Sequence, residues 1–182
     1  SSSPQGQLAR RLRQYMLGLM CAFSLVGCNL KPMPERVPSQ ALPAEQAAQT
    51  ALGQAVVPQM QQHPGLSGIH PLGDPLEAFA ARMLLAHSAE RTLDVQYYIW
   101  RGDQTGTLLL QALLAAADRG VRVRLLLDDG GTSGLDGILA ALASHPHMEV
   151  RLFNPFVLRK PKSLGYLTDF SRANRRMHNK SF

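Results

Sequence analysis

The stretch from Thr92 to Asp129, TLDVQYYIWRGDQTGTLLLQALLAAADRGVRVRLLLDD, constrains the fold more than any other part of the chain. Thr92 to Trp100 is rich in β-branched and aromatic residues, the composition of a strand. Thr105 to Gly120 then carries leucine and alanine at helical spacing and closes on Gly120 as a cap. Val121 to Asp129 returns to strand composition. Strand, helix and strand in this order form a βαβ unit, which implies a parallel pair joined by a right-handed crossover.

The flanks extend the same pattern. In PLEAFAARMLLAHSAE, residues Leu76, Phe79, Ala80, Met83, Leu84 and His87 fall at helical spacing behind Pro75, which predicts a helix with one buried face. Downstream the chain predicts a helix from Leu135 to Ser144, the strand MEVRLFNPF, a basic loop with a short helix near Leu164 to Ser171, and a final strand from Ala173 to Phe182. The expected class is α/β, a mostly parallel sheet with helices packed on it, occupying residues 76–182. With 45% apolar and 18% charged residues, the chain is not disordered in bulk and fits one modest domain. Its two cysteines, Cys21 and Cys28, both lie near the start, so the body relies on its core rather than on a disulfide.

Residues 1–28 read as an address. Arg10, Arg11 and Arg13 precede an apolar run from Tyr15 to Val26, which ends at Gly27 and Cys28; that order is a secretory signal, too short for a comfortable membrane span. The quartet LVGC resembles the lipobox of bacterial lipoproteins, which implies lipidation of Cys28 and a place on the cell envelope facing the periplasm or exterior. The alternative is an uncleaved amphipathic or transmembrane N-terminus with an incidental cysteine. Residues 29–75 hold eight of the twelve prolines and runs of Gln and Ala, the composition of a tether with one short helix around Glu45 to Gln54, or else of a poorly ordered leader.

Charge is uneven along the chain. Asn29 to Val150 carries 8 basic and 12 acidic residues, whereas Arg151 to Phe182 carries 8 basic residues against Asp169 alone. A cationic segment of this kind suits a phosphate-bearing partner, or else is a solvated face. It contains the tripeptide His178-Asn179-Lys180. On a strand, His178 and Lys180 project from one side, an imidazole beside an ammonium, while Asn179 and Ser181 point the other way as structural residues.

Taken together, LDVQYYIWRGDQTGTLLLQALLAAADRGVRVRLLLDD and RANRRMHNKSF resemble the N-terminal part of a bacterial phospholipase D superfamily protein of the cardiolipin-synthase type. The second segment is similar to the start of the family motif H-x-K-x4-D. The resemblance implies His178 as nucleophile on a phosphodiester and Lys180 as phosphate ligand, with an anionic phospholipid as substrate and the membrane reached through the lipid anchor. It implies no metal or other cofactor, because the lysines supply the charge stabilisation. It also implies a second histidine from a duplicate motif and a carboxylate that orients the imidazole. The motif's aspartate position falls beyond Phe182, and the 182 residues hold one H-x-K. The expectation is therefore half a site, belonging to a longer protein, with little transferase activity in these residues alone. A phospholipase D-like nuclease and a non-catalytic, truncated lipoprotein remain as alternatives; the lipobox weighs against nucleic acid as a partner.

Other polar groups have plainer readings. Asp128 and Asp129, at the end of a parallel strand, suit either a metal or acid–base pair, or a turn and cap before GGTSGLDG that leaves nothing over. Asp103 and Thr105 read as caps. His145 and His147 have the spacing of metal ligands, but Pro146 between them and the lack of a neighbouring carboxylate cluster favour an exposed turn. The glycines at 130, 131, 134 and 137 are not followed by the Gly-Lys-Ser/Thr of a P-loop.

Overall fold

The structure, a computed structural model, describes residues 7, 11, 13–18, 38–157 and 170–182. Cys28 and its lipobox lie outside the described residues, as does most of the helix expected near Leu164 to Ser171. Among the described residues, no helix is long and apolar enough to cross a membrane.

Two helices form where the sequence predicts one: α1, Ala44–Ala48, and α2, Ala51–Gln62. Thr50 divides them, its hydroxyl donating to the Ala47 carbonyl at 2.7 Å and accepting the Gly53 N–H at 3.0 Å. Neither helix buries a residue, yet the segment is tied to the body. Ala51 N–H donates to Glu90, and Arg124 donates to the Ser39 hydroxyl.

Helix α3, Pro75–Ser88, starts on Asp74, whose carboxylate accepts the N–H groups of Leu76 and Glu77, with Pro75 in the first turn. Its packed stripe is narrower than the sequence predicts. Phe79, Met83 and Ala86 turn to the core, whereas Leu76 and Leu84 stay 79% and 67% exposed, and Ala80 and His87 are exposed as well. The reason is geometric: α3 leans mainly on one neighbour, α4, and one helix–helix seam covers only part of a helix's circumference.

Strand β1, Thr92–Tyr97, leads into α4, Gln104–Asp118, and then β2, Arg122–Asp128. Asp103 caps α4 through Gly106 N–H, with the Thr105 hydroxyl donating to the same carboxylate oxygen, as expected. Gly120 closes the helix at φ 88°, a left-handed conformation that favours glycine. Arg119, beside it, donates to the carbonyls of Ala86 and His87 and so fixes α4 to the end of α3. Helix α5, Asp136–Ala143, and strand β3, Met148–Phe153, follow. Strands β1, β2 and β3 are parallel neighbours, with Val95 beside Leu125 and Leu125 beside Val150. A short fourth strand, β4 at Lys180–Ser181, completes the order β3-β2-β1-β4.

One face of this sheet is dry. Leu93, Val95, Val123, Leu125, Leu127 and Met148 pack beneath Leu109, Leu113, Ala116 and Leu139 of the helices. The other face carries Asp94, Arg124, Glu149 and Arg151 at the alternate positions. Arg124 grips Asp94 on the adjacent strand with two parallel bonds of 2.6 Å, the fork geometry that suits guanidinium and carboxylate. That hydrogen bonding, aided by the charges of Arg124 and Arg122, holds the Asp94 carboxyl below its ordinary value of 3.8 against a smaller opposing effect of burial.

Because the carboxyl is depressed in the folded state, its contribution is complete above pH 3.8 and disappears as the pH falls through the lowered value. Asp94→Asn is expected to melt below the parent protein at neutral pH and to lose less of its melting temperature on acidification. Thermal melts from about pH 6 to about pH 2 check this; equally steep acid loss in the variant would exclude the pair as a source of acid lability.

Candidate active site

The site is assembled at the carboxyl ends of the parallel strands, where open α/β sheets place ligands. Asp128 ends β2, and Asp129 opens the single 3-10 turn, Asp129–Gly131, that follows it. Both Asp128 and Asp129 are fully buried. Asp129 faces β3, accepting the Phe156 N–H at 2.7 Å through Oδ2 and the Thr132 hydroxyl at 3.2 Å through Oδ1. Asp128 faces the other way. Its Oδ1 accepts Gly130 N–H at 2.8 Å and Arg176 Nη1 at 3.1 Å, while Oδ2 accepts Met177 N–H at 2.9 Å. The expectation that a turn and cap account for this pair with nothing left over is therefore corrected. Asp128 carries the turn bond to Gly130 and in addition anchors the backbone next to His178. Among the described residues there is no group of three or more His, Cys, Asp or Glu that could hold a metal.

The final strand is also shorter than predicted. Ala173 belongs to a helical turn, α6 at Phe170–Ala173, and the ladder pairs only Gln96 with Ser181 and Tyr97 with Lys180, antiparallel. Competing hydrogen bonds explain the difference. Asn154, at φ 47° just past β3, donates to the carbonyls of Arg172 and Arg175, and Arg172 donates to the Pro155 carbonyl. With Asp128 holding Met177, the backbone before His178 is committed to these partners instead of to a ladder. One further bond extends the pairing, from Tyr98 N–H to the Asn179 carbonyl at 2.9 Å.

Within this frame His178 and Lys180 come together as the alternation predicts. Both are exposed, and Lys180 Nζ stands 3.4 Å from each ring nitrogen of His178. Asn179 turns the other way, its amide donating to Gln96 Oε1 at 2.8 Å. Tyr98 belongs to the site and was not singled out from the sequence. Its ring lies 4.7 Å from the imidazole, and the Lys180 ammonium sits 5.7 Å from the ring centroid. A tyrosine in a YYIW run reads only as strand composition, so no sequence signal separates it from Tyr97, whose ring instead packs edge-on against Trp100 in the core.

The basic segment is partly used within the fold. Arg151 pairs with Glu149, and Arg176 pairs with Asp128 while lying 5.1 Å over the Phe156 ring. Of the other candidates, His145 reaches Asp118 at 3.2 Å and accepts the His147 N–H, the exposed turn expected.

Replacing the Asp128 carboxylate by an amide leaves one acceptor oxygen where two served three donors. Asp128→Asn, which turns an amide donor toward Met177 N–H or Arg176, is expected to cost about 3 kcal/mol of stability. It should also shift the backbone amide resonances of Met177 to Lys180 at temperatures where the core stays folded. Unshifted resonances in a folded variant would remove Asp128 from the control of this segment.

No family model matches the chain. Cardiolipin synthase C of Escherichia coli (strain K12) is 66% identical over 131 residues, 72% of this chain and 28% of that protein. An uncharacterized protein of Helicobacter pylori is 35% identical over 136 residues, 73% of this chain and 27% of its own length. Cardiolipin synthase B of Escherichia coli (strain K12) is 33% identical over 92 residues, 50% of this chain and 21% of that protein. Among solved structures, NucT from Helicobacter pylori aligns with 42% of this chain and 46% of its own at 18% identity and a TM-score of 0.36, too slight a likeness to weigh. The chain spans less than a third of the length of the curated relatives it matches. The extent of identity to cardiolipin synthase C, over a sheet that ends in an H-x-K, bears out the resemblance to the cardiolipin-synthase-type branch of the phospholipase D superfamily.

Proposed function

We propose that this chain supplies one histidine–lysine half of a phosphatidyl-transferring site. The reaction joins two anionic phospholipids, or a phospholipid and a glycerol-type alcohol. The observation that carries the reading is the exposed pairing of the His178 ring with Lys180 Nζ at 3.4 Å, on an edge strand at the carboxyl ends of a parallel sheet. Identity to cardiolipin synthase C supports the choice of lipid over other phosphodiesters.

In this mechanism a ring nitrogen of neutral His178 forms a bond to phosphorus as the ester bond to the leaving alcohol breaks. The alkoxide takes a proton from a second histidine of a duplicate motif. That histidine then accepts the proton of the incoming alcohol, whose oxygen displaces His178 from phosphorus. Throughout, the Lys180 ammonium offsets charge on the phosphoryl oxygens. Tyr98 keeps the imidazole ring in place, and Asp128 holds the backbone one residue away. Lipidation of Cys28 would hold this chemistry beside its substrate.

The test is phosphatidyl transfer on vesicles containing phosphatidylglycerol, with the protein expressed from its own gene. His178→Ala is expected to lower turnover by at least about 10³-fold and Lys180→Gln by about 10²-fold; a His178→Ala protein keeping a tenth of the parent rate would overturn the assignment. For the anchor, Cys28→Ser is expected to move the protein from the membrane pellet to the supernatant, and unchanged fractionation would argue against lipidation.

A further inference from the structure

Between Glu45 and Asp74 the chain contains no Asp, Glu, Lys or Arg. At the 18% charged content of the whole chain, a stretch of that length would hold about five such residues. The stretch nevertheless lies on the outside of the molecule. Leu52, Val56 and Met60, four residues apart along α2, are all exposed and form one apolar line along the helix. Beyond the helix, Leu66, Ile69 and Leu72 are exposed as well, Leu66 at 73% and Ile69 at 89%. Single exposed apolar side chains are ordinary, but a run of them without an intervening charge marks a surface that something covers.

This surface is fixed to the body. The Ser39 hydroxyl accepts from Arg124 on the polar face of the sheet, and Ala51 N–H donates to Glu90 just past α3. Helices α1 and α2 meet closely at their elbow, where a Cβ on Gly53 would collide with the Ala47 carbonyl. Gly53 and Val57 are the half-buried residues of α2. By the helical period, Gln54 and Gln61 fall on the side opposite Leu52 and Val56. Pro58 cannot donate to the Gln54 carbonyl, and that carbonyl too lies away from the apolar line, where water can satisfy it.

The place of this surface in the chain points to what covers it. Cys28 stands eleven residues before Ser39, and eleven residues span at most about 40 Å. Because Ser39 is tied to the sheet, a lipid on Cys28 keeps the domain within that distance of a bilayer. The lack of charge removes the largest desolvation cost of entering the boundary between headgroups and acyl chains, and leaves apolar burial as the driving force. We propose that α2 and residues 66–72 lie on the bilayer surface with Leu52, Val56 and Met60 toward the hydrocarbon, a second, charge-independent contact in addition to the lipid. This rests on the reading of Cys28 as the lipid-bearing residue. It gives the domain one orientation against the membrane, where a single anchor leaves it free to turn.

The experiment introduces the photoreactive residue p-benzoylphenylalanine at one position at a time in the protein expressed from its own gene. The positions are Val56, Met60 and Ile69, with Gln54 and Gln61 on the opposite side of α2 for comparison. Helix α2 buries no residue, so these exchanges leave the core intact. Membranes carrying the protein are irradiated, and the intact mass of the protein is read before and after. Phospholipid adducts at Val56, Met60 and Ile69 are expected at a yield at least about tenfold above Gln54 and Gln61, equal at about 0.1 M and about 1 M salt.

Cross-links at these positions to a second copy, to another protein or within the chain itself, without lipid adducts, would overturn the bilayer as partner. Equal lipid adducts at Gln54 and Gln61 would overturn the oriented contact, and adducts lost at high salt would assign the contact to charge elsewhere. The mass before irradiation reports on Cys28 independently. A lipidated protein without adducts at Val56 and Met60 would remove the apolar contact and keep the anchor, whereas adducts in a protein without lipid on Cys28 would keep the contact and remove the anchor.

Discussion

A carboxylate sealed from water must be met by donors, and Asp128 meets this condition by drawing on three parts of the chain. The Gly130 amide closes the turn after β2, the Arg176 guanidinium comes from the C-terminal segment, and the Met177 amide lies one residue before His178. The position of the imidazole thus depends on a group 50 residues earlier in the chain. A two-residue pairing on a sheet edge could not set that position alone. Asp129 does the equivalent for the other side, tying the turn after β3 to the end of β2. The centre of the sheet therefore controls both flanks of the site through one dipeptide.

The same economy governs charge. Several arginines of the basic segment are engaged in structure, where Arg172, Arg176 and Arg151 hold a carbonyl, a buried carboxylate and a neighbouring glutamate. Among the described residues of that segment, Arg175 and Lys180 stay exposed, and Lys180 is the one that stands beside His178. Net positive charge along a sequence says little about a ligand until the internal pairings are taken out.

Much of the scaffold was legible in the residues. Caps at Asp103 and Gly120, the βαβ order and the shared side of His178 and Lys180 all follow from local rules, because each depends on neighbours within a few positions. The parts that were not legible depend on distance along the chain. Asp128 sits in front of GGTSG and reads as a turn residue; only the fold brings Met177 to it. The C-terminal strand read as long because composition records the tendency to extend, not the partner that Asn154 and Asp128 offer instead. In α3, Phe79 and Leu76 fit the same helical period, and only the placement of α4 decides which of them is buried. Tyr98 and Tyr97 are adjacent and alike, yet one meets the imidazole and the other the core.

The bonds that hold residues 177–181 have a kinetic consequence. The segment bearing the imidazole is held by a two-residue ladder, the Tyr98 to Asn179 bond and the Asp128 contacts, whereas the three parallel strands share a continuous dry core. Local opening free energies follow such differences, so amide exchange in 177–181 is governed by a small excursion and that of β2 by unfolding of the whole domain. Occupancy of the site by an anion is then linked to the ordering of the segment that binds it.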